Sequence, residues 1–297
     1  MYNYENLILS GGGVRGLYYL GFMKYYKDKL HTFKNLVGSS IGSFFVVAIA
    51  LGYNDEEIFP HALNILDYNR VKSIKVFDFL DNLGLDDGNK LEHYTKKMIR
   101  YKCGKKELTF KELYETYNKN VTITAISIED NAIVYFSKDT HPLMKVWKAL
   151  RMSMTVPFLF KPYFYKDKNY IDGGLKHNFP IELYPSKNTL GINISCIPKI
   201  SKKLNFEDYI FSIVSIITHS KSDIKDQEVI KLDGSFDIEH PLVTFETNIT
   251  ETMIQKAIEY SYNKVNEFFE NREKQINNLS KEILLDIISN LLAKKEE

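Results

Sequence analysis

The chain has 297 residues, of which 44% are hydrophobic, enough to bury a large core without disulfides or bound metal. Its 39 lysine and arginine residues nearly balance its 38 aspartate and glutamate residues, so no strong field of one sign favours nucleic acid as a partner. The two cysteines, Cys103 and Cys196, are too few and too distant for a disulfide framework or a zinc site, which favours a reducing compartment.

The N-terminus is not typical of a secretory signal. A short core, Leu7–Ser10, follows a start without basic residues, and the longest apolar run, Phe44–Leu51, has eight residues. A signal peptide needs a basic start and a longer apolar stretch, and a membrane-spanning helix needs about 20 apolar residues. We therefore expect a cytoplasmic protein whose contact with membranes is peripheral.

A glycine-rich loop follows the first predicted strand, Leu7–Leu9. The loop is Gly11-Gly12-Gly13-Val14-Arg15-Gly16, and the residues after it have helical character. Free backbone amides at the start of a helix attract an anion. The loop is therefore predicted to hold a negatively charged group.

Two anions fit this loop. One is the pyrophosphate of a dinucleotide, which would make the chain a nucleotide-binding protein, but that function requires an acidic residue where Leu36-Val37-Gly38 stands. The other is the oxyanion that forms when a serine attacks an ester carbonyl, with the amides of Gly12 and Gly13 as donors and Arg15 as electrostatic support. The second use is favoured by the motif that follows.

Gly38-Ser39-Ser40-Ile41-Gly42 predicts a nucleophile elbow between a short strand and a buried helix. Such a turn exposes the serine hydroxyl and needs Gly38 and Gly42 where side chains would collide. Ser39 does not fit the role, because Val37 and Ile41 would then stand where the glycines are needed. Ser40 is therefore the candidate nucleophile.

The middle of the chain carries fewer chemical signals. Residues 54–117 are predicted to be mainly helical, and 121–128 with 132–136 predict a β-hairpin. The segment Asp86-Asp87-Gly88-Asn89 resembles a calcium loop, but Lys97 stands where the ligand glutamate is required. A turn is predicted there, and no metal site.

A serine nucleophile needs a base, and Asp172-Gly173-Gly174 follows a predicted strand, 169–171. Its two glycines would let the aspartate approach another loop, although Asp-Gly is by itself more typical of a turn. The histidines His177, His219 and His240 also follow Asp172, so a Ser-Asp-His triad is formally possible. From the residues alone, the base remains open.

The rest of the chain predicts a strand and then helices. The strand is 190–197, and the segment 209–217 is apolar and helical. Two further stripes have helical spacing and are expected to pack on the core; they are Ile254, Ile258, Tyr262, Val265, Phe269 and Leu284, Ile287, Ile288, Leu291. Without repeats or linkers, residues 1–297 are predicted to form a single domain.

Taken together, the motifs resemble those of the patatin-like phospholipase family, in the family's order. Gly11–Gly16 is similar to its oxyanion loop, Gly38–Gly42 to its elbow, and Asp172-Gly173-Gly174 to its D-G-[AG] element. Ala149–Phe160 is similar to the stretch ending in Ser-x-x-x-Pro, and Asn178-Phe179-Pro180 to what often follows the aspartate. The resemblance covers residues 5–198 and leaves the last third without a motif.

This resemblance implies a three-layer α/β/α fold with a central, mostly parallel sheet and a helical C-terminal segment over about 200–297. It implies a Ser40–Asp172 dyad that needs no histidine, metal or other cofactor. The expected substrate is a phospholipid or another acyl-ester lipid, met at a membrane or micelle surface. An inactive lipid-binding module with the same fold is the remaining alternative, and residues 54–119 are where substrate selectivity is expected.

Overall fold

A computed structural model describes residues 4–66, 83–105, 107–194, 213, 228–233 and 250–293, with side chains of the last helix up to Glu282 except Ser280. The strands are β1 (Asn6–Leu9), β2 (Asn35–Ser39), β3 (Gly84–Asp86), β4 (Asn120–Ser127), β5 (Ala132–Phe136), β6 (Phe158–Phe160), β7 (Tyr163–Tyr165), β8 (Lys168–Asp172), β9 (Thr189–Ile194) and β10 (Glu228–Leu232). The helices are α1 (Leu17–Tyr25), α2 (Ile41–Ala50), α3 (Asp55–Leu66), α4 (Asn89–Cys103), α5 (Phe110–Tyr117), α6 (Val146–Ser153), α7 (Gly174–His177) and α8 (Glu251–Ala293).

The central sheet has the strand order β10-β9-β1-β2-β4-β8-β7, and β5 pairs with β4 as well. Strands β10, β9, β1, β2 and β4 run parallel, whereas β5 and β8 run antiparallel to β4. Short apolar strands such as β1 are buried on both faces, as expected where a parallel sheet is covered on each side. The predicted α/β fold with a mostly parallel sheet is confirmed.

The register on β4 brings two strand ends together. Ile123 and Thr124 pair with both β2 and β5, and 125–127 pair with both β5 and β8. Because a strand has only two edges, β2 and β8 share the edge opposite β5. They run toward each other along it, and their last residues, Ser39 and Asp172, pair with the neighbours Thr124 and Ala125.

Core side chains lie on both faces of the sheet. Leu7 and Leu9 belong to the large core that also contains α1, α2 and α6, whereas Ile8 points to the other face with Val37, Phe179 and Ile181. The helix α2 is buried along its whole length, as its apolar sequence predicts.

The long C-terminal helix α8 packs on α1 with its first half. Gly21 of α1 lies so close to this helix that a Cβ there would meet the carbonyl oxygen of Ile258 at 2.3 Å. Tyr25 stacks on Phe269 at 5.6 Å between ring centroids, and Val265 is buried. The first predicted stripe, 254–269, therefore packs against the core on α1.

Other expectations differ from the structure or lie outside the described residues. Within the region 54–117, the described residues form three helices but also β3, which pairs with β6 in a separate parallel ribbon that the sequence did not predict. The hairpin of β4 and β5 forms as predicted. Several predictions concern residues outside the described part of the chain. They are Cys196, His219, His240, residues 195–197, the segment 209–217 apart from Ile213, and the side chains of the stripe 284–291. Among the described helices, none is both long and apolar enough to cross a membrane.

Candidate active site

Ser40 lies on the sharp turn between β2 and α2, as the elbow motif predicts. Its backbone has φ 49° and ψ −128°, a left-handed conformation that costs a non-glycine residue roughly 1–3 kcal/mol. A Cβ on Gly42 would lie 2.4 Å from the Leu9 carbonyl oxygen, and one on Gly38 would lie 2.5 Å from the Ser43 nitrogen. The turn therefore needs glycine at both positions.

The Ser40 hydroxyl donates a hydrogen bond to Asp172. The distance from Ser40 Oγ to Asp172 Oδ2 is 2.5 Å, and the other carboxylate oxygen, Oδ1, accepts the Gly174 amide at 2.8 Å. Asp172 is only 4% exposed. Gly173 lies so close to β4 that a Cβ there would meet Thr124 Oγ1 at 2.4 Å. The predicted pair Ser40 and Asp172 is thus brought together where β2 and β8 end.

Burial sets the pKa of this carboxyl group. Removal from water raises the pKa of Asp172 from 3.8 to about 7, while the hydrogen bonds from Ser40 and Gly174 pull it down. A base whose pKa lies near neutral pH can both take and return a proton at that pH.

The end of α6 holds both members of the pair through their backbone amides. Ser153 Oγ accepts the Ser40 amide at 2.9 Å, and the Thr155 carbonyl oxygen accepts the Asp172 amide at 2.8 Å. These two residues were not predicted as part of the site, although they lie in the Ser-x-x-x-Pro stretch. The sequence signal that could have identified them is that both are small polar residues within an otherwise apolar segment. Both are buried in the structure.

Arg151 fixes this helix end to the ribbon of β3 and β6. Its buried guanidinium group donates to Thr155 Oγ1 at 2.5 Å, to the Asp87 carbonyl at 3.0 Å and to the Lys161 carbonyl at 3.2 Å. Burial lowers the pKa of Arg151 to about 10, so the group keeps its charge at neutral pH. Gly88 makes room for it, because a Cβ there would collide with the guanidinium group.

The glycine-rich loop lies against the nucleophile turn. A Cβ on Gly11 would be 2.9 Å from the Ser40 Cβ, and the Gly11 amide itself donates to Asn178 Oδ1 at 3.0 Å. Within the described part of the chain, the amides of Gly12 and Gly13 donate no hydrogen bond, whereas Gly11 is already engaged. The amides of Gly12 and Gly13 are therefore free to receive an oxyanion.

The remaining loop residues differ in their surroundings. Gly13 has φ 56°, and nothing lies near the position of a Cβ there. Gly16 is buried, and a Cβ would lie 2.5 Å from Ile41 Cγ1, so this residue serves packing. Arg15 is half-buried, and within the described residues its guanidinium group makes no hydrogen bond or ion pair.

Asn178 connects the glycine loop with the aspartate loop. Its side-chain oxygen accepts the Gly11 amide, and its Nδ2 lies 3.4 Å from the Gly11 carbonyl oxygen, to which it donates. A Cβ on Gly174 would stand 2.7 Å from that same side-chain oxygen. Asn178 belongs to the Asn178-Phe179-Pro180 motif, but the sequence does not predict it as a site residue. Its contact with position 174 explains why glycine rather than alanine suits that position.

The side chain of His177 has its partners elsewhere than at Ser40 and Asp172. Its Nδ1 lies 2.8 Å from the Tyr135 hydroxyl, and its Nε2 lies 2.8 Å from Glu182 Oε1. Within the described residues, its side chain forms no hydrogen bond or ion pair with Ser40 or Asp172. Among the residues that the structure describes, no group of three or more histidine, cysteine or acidic side chains could hold a metal ion.

Acyl transfer is the chemistry that this arrangement suits. A buried carboxylate within hydrogen-bonding distance of a serine hydroxyl can accept its proton, and free amides nearby can stabilise the charge on an attacked carbonyl. The fold and the site therefore define the class of serine acyl hydrolases.

Comparison with known proteins narrows that class to a family. Residues 7–184, more than half of the chain, match the family described as Patatin-like phospholipase. The chain belongs to this family of serine lipid hydrolases, which confirms the resemblance inferred from the motifs. The family favours an oxyanion rather than a dinucleotide pyrophosphate as the anion of the glycine loop.

Sequence relatives agree with this assignment, and a solved structure shares the fold. The probable lipid hydrolase 463L of Invertebrate iridescent virus 6 is 30% identical over 226 residues, covering 74% of this chain and 73% of the viral protein. Triacylglycerol lipase 4 of Saccharomyces cerevisiae is 28% identical over 207 residues, covering 59% of this chain and 22% of the yeast protein. VipD from Legionella pneumophila shares the fold, with a TM-score of 0.59 and 16% identity over 91% of this chain and 67% of VipD.

Proposed function

We propose that the chain hydrolyses the carboxylic ester bonds of phospholipids through Ser40 and Asp172, in the manner of a phospholipase A or lysophospholipase. The observation that carries the proposal is the 2.5 Å hydrogen bond from Ser40 Oγ to a buried carboxylate whose pKa is raised to about 7. Family membership supports a lipid ester as the substrate class.

In the first half of the reaction, Asp172 accepts the proton of Ser40 as Ser40 Oγ attacks the acyl carbonyl carbon. The carbonyl oxygen becomes an oxyanion, which the amides of Gly12 and Gly13 stabilise. The tetrahedral intermediate then expels the lysophospholipid alkoxide, which takes the proton from Asp172. This leaves an ester between the fatty acid and Ser40.

In the second half, water replaces the alcohol. Asp172, again ionised, accepts a proton from a water molecule that attacks the acyl carbonyl, and the same amides hold the second oxyanion. Ser40 Oγ leaves and regains its proton from Asp172, and the fatty acid is released. No step requires a histidine or a metal ion.

The substrate class is tested by incubating the purified chain with defined phosphatidylcholine, lysophosphatidylcholine and triacylglycerol in the presence of EDTA. We expect free fatty acid and the matching lysophospholipid or glycerophosphocholine, identified by mass spectrometry, at the same rate with and without the chelator. Binding to the lipid without release of fatty acid would instead indicate an inactive lipid-binding module.

Neutral lipid is a second candidate substrate. It is favoured by the relative named Triacylglycerol lipase 4, which is 28% identical to this chain. The same incubation separates the two, because faster release of fatty acid from triacylglycerol than from either phospholipid would replace the phospholipid proposal by the neutral-lipid one.

Substitution of Asn178 tests how the glycine loop is positioned. We expect Asn178→Ala to lower kcat for a soluble ester by roughly 10- to 100-fold, with a smaller change in KM, because small displacements of catalytic groups have effects of this size. The reason is the loss of the side-chain contacts that hold Gly11. Asn263→Ala, at an exposed position of α8, is the control. An unchanged kcat in Asn178→Ala would contradict this role.

A further inference from the structure

Two bulky apolar side chains near the site are held in solvent by a left-handed backbone. Leu83 is 64% exposed and has φ 56°, and Phe158 is 50% exposed and has φ 66°. Large non-glycine residues rarely adopt this conformation, because it brings Cβ too close to the backbone. The strained backbone and the exposure of an apolar side chain to water are both unfavourable for folding. Such a residue therefore suggests a functional role.

The two residues are neighbours in the ribbon of β3 and β6. Gly84, which follows Leu83, pairs with Phe158. Phe158 is also three residues beyond Thr155, whose carbonyl oxygen accepts the Asp172 amide. Three residues of extended chain span at most about 11 Å, so Phe158 lies close to the dyad.

The residues of the ribbon that follow these two side chains are anchored. Leu159 and Phe160, which follow Phe158, are buried. At the far end of the ribbon, Arg151 donates to the carbonyl oxygens of the residues just after the two strands, Asp87 and Lys161. Leu83 and Phe158 are therefore exposed at the start of a ribbon that is anchored at its other end.

We propose that Leu83 and Phe158 form a lipid-docking pair, which inserts into the surface of a phospholipid bilayer or micelle beside the Ser40–Asp172 dyad. This inference rests on the proposed function. Insertion would bring the acyl esters of the aggregate next to the nucleophile, and burial of apolar side chains in hydrocarbon would favour the bound state.

The size of the patch favours lipid over a protein partner. Two side chains expose at most a few hundred Å², whereas a stable protein interface buries about 800 Å² on each partner. A lipid surface needs no complementary partner of that area, because any inserted apolar side chain gains from leaving water. A second copy of the chain is therefore the weaker occupant.

The test measures binding without hydrolysis. In a Ser40→Ala background, flotation with phosphatidylcholine vesicles is compared before and after the double substitution Leu83→Asn and Phe158→Asn. We expect vesicle binding to weaken at least tenfold. Because asparagine tolerates the left-handed conformation, Tm should stay the same or rise, so weaker binding would not reflect unfolding.

Leu143→Asn is the matched control, since Leu143 is 77% exposed but precedes the start of α6, the end opposite Ser153. This control should float as the parent does. The docking pair would be overturned if the double variant floated as well as the parent, or if the parent did not float. It would also be overturned if light scattering showed that the parent is a dimer and that the double substitution dissociates it. The proposed function fails separately, if the unsubstituted chain releases no fatty acid.

Discussion

Replacing Ser40 with alanine is expected to abolish ester hydrolysis, lowering kcat/KM by about 10⁴-fold or more. Alanine removes Oγ, the atom proposed to form the acyl-enzyme, while the glycines that shape the turn remain. The measurement is steady-state hydrolysis of a soluble ester together with Tm. We also expect a fluorophosphonate probe to label the unsubstituted chain covalently and to leave Ser40→Ala unlabelled.

Ser39 provides the control for this substitution. It is the adjacent serine, it is fully buried, and its hydroxyl has no hydrogen-bond partner among the described residues. Ser39→Ala should therefore keep both activity and labelling. Ser40→Gly should be as inactive as Ser40→Ala but more stable, by roughly 1 kcal/mol, because glycine adopts φ 49° without strain. Hydrolysis by Ser40→Ala at the original rate would exclude Ser40 as the nucleophile.

The part of the site that could be predicted is the part that local geometry determines. The elbow needs small residues two positions before and two positions after the serine, and both requirements lie within five residues of sequence. The structure shows their cause, since side chains at Gly38 and Gly42 would overlap neighbouring backbone. The glycine loop could be predicted for the same reason, because a strand followed by glycines and a helix leaves free amides.

The identity of the residue that reaches Ser40 depends on strand order, which local residue patterns do not reveal. Asp172 is 132 positions away from Ser40, and an Asp-Gly pair is common in turns. It reaches Ser40 because β2 and β8 occupy one edge of β4 and end facing each other. Family resemblance predicted the pair where residue patterns alone left the base open.

Contacts that support the site were missed for a related physical reason. Ser153, Thr155 and Asn178 act through hydrogen bonds to backbone amides of distant segments, and any residue type presents such an amide. The left-handed backbone at Leu83 and Phe158 was also not predicted, because turn patterns assign that conformation to glycine and asparagine. Both features require knowledge of which segments are neighbours in space.

Replacing Asp172 with asparagine is expected to lower kcat by roughly 10³- to 10⁴-fold, because an amide cannot accept the Ser40 proton. In the unsubstituted chain, kcat/KM for a soluble ester should rise about tenfold per pH unit up to about pH 7 and then level off, as Asp172 loses its proton. The residual activity of Asp172→Asn should lack this rise. A rise through pH 7 that persists in the variant would assign the titration to another group.

The same substitution should make the protein more stable at neutral and alkaline pH. Because burial raises the pKa of Asp172 from 3.8 to about 7, the folded chain keeps a proton that the unfolded chain has lost. This carboxyl group's contribution to stability is fully present below about pH 4 and is lost as pH rises through 7. Between pH 5 and 8, the unfolding free energy of Asp172→Asn should therefore increase relative to the parent by on the order of 2–3 kcal/mol, measured by denaturant titration. A difference that does not change with pH would mean that Asp172 is already ionised throughout this range, and the neutral-pH rise in activity would need another cause.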